Sequence, residues 1–160
     1  ATVVKEKIFE AFYGEANELK HFRHVNTYGG HPVATAVSLK NIEIVQRENL
    51  AANAAKMETY IKGRLNEFAD HPYVGEIRGK GLLLGIELVS DKEKKTPLEM
   101  AQANAIVQNC LKQGVSIMRN GNTVPGLGNV IIMAPPLILQ ESEADQIVDA
   151  IGNALKQVLK

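Results

Sequence analysis

Two places in this sequence carry residue types at spacings that could do chemistry. The first is HVNTYGGHPVATA, His24 to Ala36. Thr27 offers a hydroxyl, the Gly29–Gly30 pair lets the backbone approach another group closely, and Pro32 suits the first turn of a helix, where its missing N–H costs nothing. Hydroxyls and backbone N–H groups at a helix entry hold phosphate oxygens well. No GK[ST] follows, so this is not a Walker loop. On spacing alone the stretch reads either as a phosphate cradle or as a plain helix-entry turn. The second place is Arg119, which follows the strand-like VSIM and opens a loop rich in Gly, Asn and Pro. An arginine there can fork two N–H bonds onto a carboxylate, and the competing reading is a surface arginine at a strand end.

Other candidates fall away on context. RGKGLLLG, Arg78 to Gly85, nearly spells a dinucleotide fingerprint, but its third glycine falls one residue late and it leads into a strand rather than a helix. His21, His24, His31 and His71 have no companion carboxylate at metal-ligand spacing, so no metal site is expected. His71, between Asp and Pro, reads as a surface helix-stop residue. Cys110, the single cysteine, reads as a small core side chain. One cysteine excludes an intrachain disulfide and suits a reducing, cytoplasmic setting.

The bulk composition narrows the class further. The chain has 160 residues, 45% of them hydrophobic, with 18 basic and 18 acidic side chains that cancel. A neutral balance offers no electrostatic case for nucleic acid or an anionic membrane surface as partner. No apolar run approaches the roughly 20 residues of a membrane span. With no initiator Met and no signal peptide, the sequence is expected to be a piece of a longer protein.

The elements that must position Thr27 and Arg119 can be read from periodicity. A short helix is expected in Lys5–Gly14, then an irregular polar stretch. The run after Pro32, VATAVSLKNIEIV, is apolar on most sides and should be buried from several directions. Leu50, Ala54, Met57, Ile61, Leu65 and Phe68 form a helical stripe that Asp70–Pro72 stops. Tyr73–Val89 reads as two β segments around an Arg78–Gly81 bend, and SDKEKK as a solvated loop. TPLE is expected to open a helix, with Thr96 as cap, Pro97 in first position and Glu99 reaching back. That helix would carry Ala101, Ala105 and Leu111 and end at Gly114 in a left-handed cap. VSIM and VIIMA are short strands, and the last helix buries Ile147, Ile151, Leu155 and Val158. The order implies an α+β fold: a small, mostly antiparallel sheet of three to five strands covered by helices.

These residues also carry a family likeness. F-x-H-x-x-TYGGHPVA, with Phe22, His24 and Thr27 to Ala34, resembles the segment that follows the catalytic lysine in class III aminotransferases. These are pyridoxal-phosphate enzymes of fold type I that include the ω-aminotransferases. VGEIRGKGLLLGIELV looks like the family's hairpin and NVIIMAPPLIL like its V-x-x-x-PPL strand, so the likeness covers nearly the whole chain in order. It implies that residues 1–48 are the tail of a large cofactor-binding domain with its linking helix, and 49–160 a C-terminal small domain. By the same likeness, Thr27 would bind the phosphate of pyridoxal 5'-phosphate in trans, across a homodimer. Arg119 would bind the carboxylate of a small-molecule substrate, in a reaction passing an amino group from an amine or amino acid to an oxo acid such as pyruvate.

The departures set the limits. Family members hold the cofactor covalently on a lysine and place an aspartate at its pyridine nitrogen, both upstream of the turn. No lysine here sits in that setting, so no catalytic residue is assigned within the chain, and the piece alone is expected to be inactive. Gln140 also replaces the usual Thr at the start of the last helix, a weaker cap. The alternative is a free-standing, non-catalytic binding or regulatory module built on the same small-domain fold.

Overall fold

A computed structural model describes residues 3–22, 26–121 and 124–159. The chain divides into two compact units, Ala1–Asn41 and Ile42–Lys160, with the boundary inside a helix.

In the first unit, α1 (Glu6–Glu10) is a single short helix, and a 3₁₀ turn follows at Ala16–Glu18. Aromatic rings pair locally: Phe9 meets Tyr13 edge-on at 5.2 Å between centroids, and Phe12 lies 5.4 Å from Phe22. Helix α2 (Pro32–Arg47) starts at the proline, as its fixed φ favours. No residue of α2 is buried, and Val33, Val37, Leu39 and Ile42 stand exposed. Among the described residues, the burial expected of so apolar a helix is not found.

The second unit holds the core. Helix α3 (Leu50–Leu65) buries Ala54, Met57, Ile61 and Leu65 of the stripe read from periodicity, leaves Leu50 and the following Phe68 half-buried, and runs into a 3₁₀ turn at Asn66–Phe68. His71 ends this segment as a half-buried turn former rather than a surface residue: its carbonyl accepts the Val74 N–H at 3.0 Å and its Nδ1 the Tyr73 N–H at 3.3 Å. Burial and the charge of Lys92 hold its imidazole below the usual histidine range.

Strands β1 (Val74–Lys80) and β2 (Leu83–Asp91) form the hairpin. Its bend falls at Gly81–Leu82, later than expected, because Arg78 and Gly79 still pair with Gly85 and Leu84. Gly79 has φ +154°, and a Cβ there would stand 2.4 Å from the Leu83 carbonyl oxygen, so only glycine fits this close crossing. Glu58 of α3 anchors the bend. Its carboxylate accepts the Gly81 N–H at 2.6 Å and pairs with Lys62 at 2.8 Å, while Lys62 donates to the Gly79 carbonyl at 2.7 Å.

Thr96–Pro97 departs from expectation. It is strand β3, antiparallel to the end of β2 through Val89 and Asp91, and not a helix cap. Proline is tolerated on such an edge, where its missing donor leaves no ladder bond unmade. Helix α4 (Met100–Lys112) therefore begins later, with Glu99 as N-cap. Its buried face is Ala103, Ile106 and Cys110, whereas Ala101, Ala105 and Leu111 face outward. The helix ends as expected: Gly114 takes φ +82°, the Val115 N–H reaches the Cys110 carbonyl and the Gly114 N–H that of Leu111.

Strands β4 (Met118–Arg119) and β5 (Val130–Met133) complete a five-stranded sheet of order β1-β2-β5-β4, every pair antiparallel, with β3 on β2. Helix α5 (Glu141–Val158) contacts both α3 and α4, burying Ala144, Val148, Ile151 and Leu155 against the sheet's inner residues Leu84, Ile86, Leu88 and Ile131. Ile147 and Val158 sit at the margin of this core. Gln140 caps through its backbone, its N–H donating to Glu143 Oε2 at 2.9 Å. Arg64 ties α3 to α5, bonding Asp145 and, at 2.9 Å, Asp149, and Tyr60 donates to Asp145. The α+β fold is thus as the element order implies.

Candidate functional site

Thr27 lies in the first unit, in the turn Thr27–Gly30 that precedes α2. The turn is closed by the Gly29 N–H on the Asn26 carbonyl at 2.9 Å and the His31 N–H on the Tyr28 carbonyl at 3.3 Å. Gly30 takes φ +77°, and among the described residues nothing lies within 4 Å of where a Cβ would be. The Thr27 hydroxyl is exposed and has no hydrogen-bond partner among the described residues. His31 Nδ1 accepts the Ala34 N–H at 3.4 Å, and the Val33 N–H, in the first turn of α2, has no partner among the described residues. A free hydroxyl and a free amide at the positive end of a 16-residue helix, in a turn with no carboxylate, fit a phosphate group. His24, part of the motif that carried the resemblance, lies outside the described residues.

Arg119 lies in the second unit, at the end of edge strand β4, where it pairs with Ile131. Its side chain is half-buried and largely engaged. Nε donates to Asn104 Oδ1 of α4 at 2.7 Å, and Nη1 donates to the carbonyls of Asn120 at 2.7 Å and Gly128 at 3.3 Å. Nη2 has no partner among the described residues. The loop after Arg119 is pinned at both feet. Asn120 exchanges backbone and side-chain bonds with Val130, and the buried Asn129 donates from Nδ2 to the Leu88 carbonyl at 2.6 Å.

Reading the sequence missed Asn104, Asn120, Gly128 and Asn129 as the residues that hold Arg119 and its loop. Asn and Gly clustered around a loop were a signal for the last three. Nothing local marks Asn104, which reaches Arg119 across 15 residues of chain. Cys110 is the core side chain it was read as: fully buried, its thiol pushed up to about 11 by burial. Among the described residues no group of three or more His, Cys, Asp or Glu could hold a metal ion, and no helix is long and apolar enough to cross a membrane.

Comparison with known proteins shows the family of the chain. The family profile described as "Aminotransferase class-III" matches residues 1–155. The uncharacterized aminotransferase YhxA of Bacillus subtilis (strain 168) is 44% identical over 158 residues, 99% of this chain and 35% of the relative. A taurine–pyruvate aminotransferase of Rhodobacter capsulatus is 38% identical over 159 residues, 98% of this chain and 35% of its own length. The crystal structure of a Bacillus anthracis aminotransferase superposes with a TM-score of 0.81 at 42% identity, covering 97% of this chain and 34% of that one. The chain thus spans about a third of the length of the curated relatives it matches. Class III aminotransferases depend on pyridoxal phosphate. With the ordered motifs, the sheet and the profile in agreement, the chain belongs to the class III aminotransferase family.

Proposed function

We propose that the protein containing this chain transfers an amino group from an amine or amino acid to an oxo acid such as pyruvate, using pyridoxal phosphate, as a homodimer. The observation that carries this reading is the open hydroxyl of Thr27 in a glycine turn at the entry to α2. Bound pyridoxal phosphate supplies the electron sink that weakens bonds at the carbon bearing the amino group. Thr27 donates from Oγ1 to the phosphate, in trans across the dimer, and the Val33 N–H and helix dipole add to its hold. Arg119 orients the substrate by its carboxylate, and the taurine–pyruvate relative supports pyruvate as the acceptor. Residues 1–48 form the tail of the large domain and 49–160 the small domain. The exposed apolar side chains of α2 suit a helix covered by that larger body. No lysine of this chain lies in the family's catalytic setting, so the piece alone does not transaminate. A cytoplasmic location suits its one reduced, buried cysteine.

The test is Thr27→Ala in the full-length protein, with pyridoxal phosphate titrated into the apoenzyme. One lost hydrogen bond to a charged group predicts cofactor affinity weaker by about 10- to 100-fold. Unchanged affinity removes Thr27 from the site.

A further inference from the structure

A guanidinium has five N–H donors, one on Nε and two on each Nη. It grips a carboxylate best with two parallel bonds along one edge, either Nε with Nη2 or Nη1 with Nη2. In this structure each edge of Arg119 has one arm already engaged. Nε is bound to Asn104 Oδ1 at 2.7 Å, Nη1 is bound to two loop carbonyls, and Nη2 alone is open among the described residues. A two-bond grip on a substrate therefore requires one of these internal bonds to break.

The two edges are not equally easy to free. The Asn120 carbonyl belongs to a residue whose own N–H and side chain are bonded to Val130 and Leu127, so it cannot turn away. Asn104 is an exposed side chain with one bond to release. Its backbone is nonetheless held in place, because its neighbours Ala103 and Ile106 are fully buried beneath α4. Nε can only donate, so the amide atom facing it must be the oxygen. The berth is also shaped for the arginine: a Cβ on Gly128 would stand 2.5 Å from Nη1 and 3.3 Å from Met100 Sδ.

We propose that Asn104 is a positioning residue: its Oδ1 holds the Nε edge of Arg119 and competes with the substrate carboxylate for it, setting how strongly the enzyme favours carboxylate-bearing substrates over uncharged ones. This rests on Arg119 being the carboxylate-binding residue.

The experiment uses the full-length enzyme with its cofactor and two variants of opposite effect. Asn104→Ala removes the competing acceptor, and Asn104→Asp makes it a charged one. Steady-state KM is measured with pyruvate and with propanal as acceptors, and the Kd of propionate, an unreactive carboxylate, is measured by calorimetry. For Asn104→Ala, the pyruvate-to-propanal KM ratio and the propionate Kd should both fall by about three- to tenfold. For Asn104→Asp both should rise, by on the order of tenfold. A merely structural residue would not move them in opposite directions. Shifts of the same sign in both variants, or an unchanged ratio and Kd, overturn the proposal. Arg119→Ala separates the two levels of argument. Equal loss toward pyruvate and propanal overturns the role of Arg119 and this inference with it. Selective loss toward pyruvate, with Asn104 variants indifferent, overturns only the competition by Asn104.

Discussion

The rotational setting of α4 decides which of its residues are core and leaves Asn104 free to meet Arg119, and a pair of truncations tests it. Ile106 is 0% exposed and Leu111 is 52% exposed, yet each loses three carbons on substitution by alanine. For Ile106→Ala, the transfer term is about 0.8 kcal/mol per carbon, or about 2.4 kcal/mol. If half the vacated space persists, about 40 Å³ at about 24 cal/mol per Å³ adds about 1 kcal/mol. The expected loss is about 3.4 kcal/mol. Leu111→Ala gives up half as much burial, opens no cavity and gains a better helix former, so about 1 kcal/mol or less is expected. Urea unfolding of the chain, followed by far-ultraviolet circular dichroism, reads both. With a slope of about 1.5–2 kcal/mol per molar, the midpoint should fall by about 2 M for Ile106→Ala and by about 0.5 M or less for Leu111→Ala, at constant slope. Equal losses, or a larger loss for Leu111→Ala, would mean that the stripe 101, 105 and 111 faces the core, and the placement of Asn104 would fail with it.

Two further outcomes follow from the hairpin's anchor to α3. The Glu58 carboxyl is lowered to about 2 from its ordinary value of 4.5, first by the Lys62 hydrogen bond and then by the Gly81 N–H, against the opposing effect of burial. A depressed acid stabilises the fold fully above its unfolded value, and that stability is lost as pH falls from about 4.5 through about 2. Wild type should therefore exceed Glu58→Gln in urea midpoint at pH 7, with the gap narrowing below pH 4.5; a gap independent of pH would contradict the pairing. Gly79→Ala should destabilise by about 2 kcal/mol or more, since the new Cβ meets backbone at an already positive φ; a thermal midpoint within a degree of wild type would show that the hairpin crossing is not as tight as described.

Much of the framework was legible because it is written locally. The α3 stripe, the left-handed stop at Gly114 and the start of α2 at Pro32 each depend on residues within a turn or two of one another. The Thr27–Pro32 turn was legible for the same reason: a hydroxyl, two glycines and a helix start stand side by side in the sequence.

What the sequence left open required a partner distant in the chain. Helix α4 has apolar residues on several sides, at 101, 103, 105, 106, 107, 110 and 111, so periodicity alone does not choose the inner face. That choice is made by packing against α5 and the sheet, which selects Ala103, Ile106 and Cys110. Thr96–Pro97 reads as a helix start in isolation and becomes a strand because the end of β2 offers it an edge to pair with. Arg119 was visible as an arginine at a strand end. The engagement of its Nε and Nη1, leaving Nη2 open, was decided only when β4, α4 and the returning loop brought Asn104, Asn120 and Gly128 around it. Residue type and short-range spacing determine which groups are available, whereas tertiary packing determines which of their hydrogen bonds are already made.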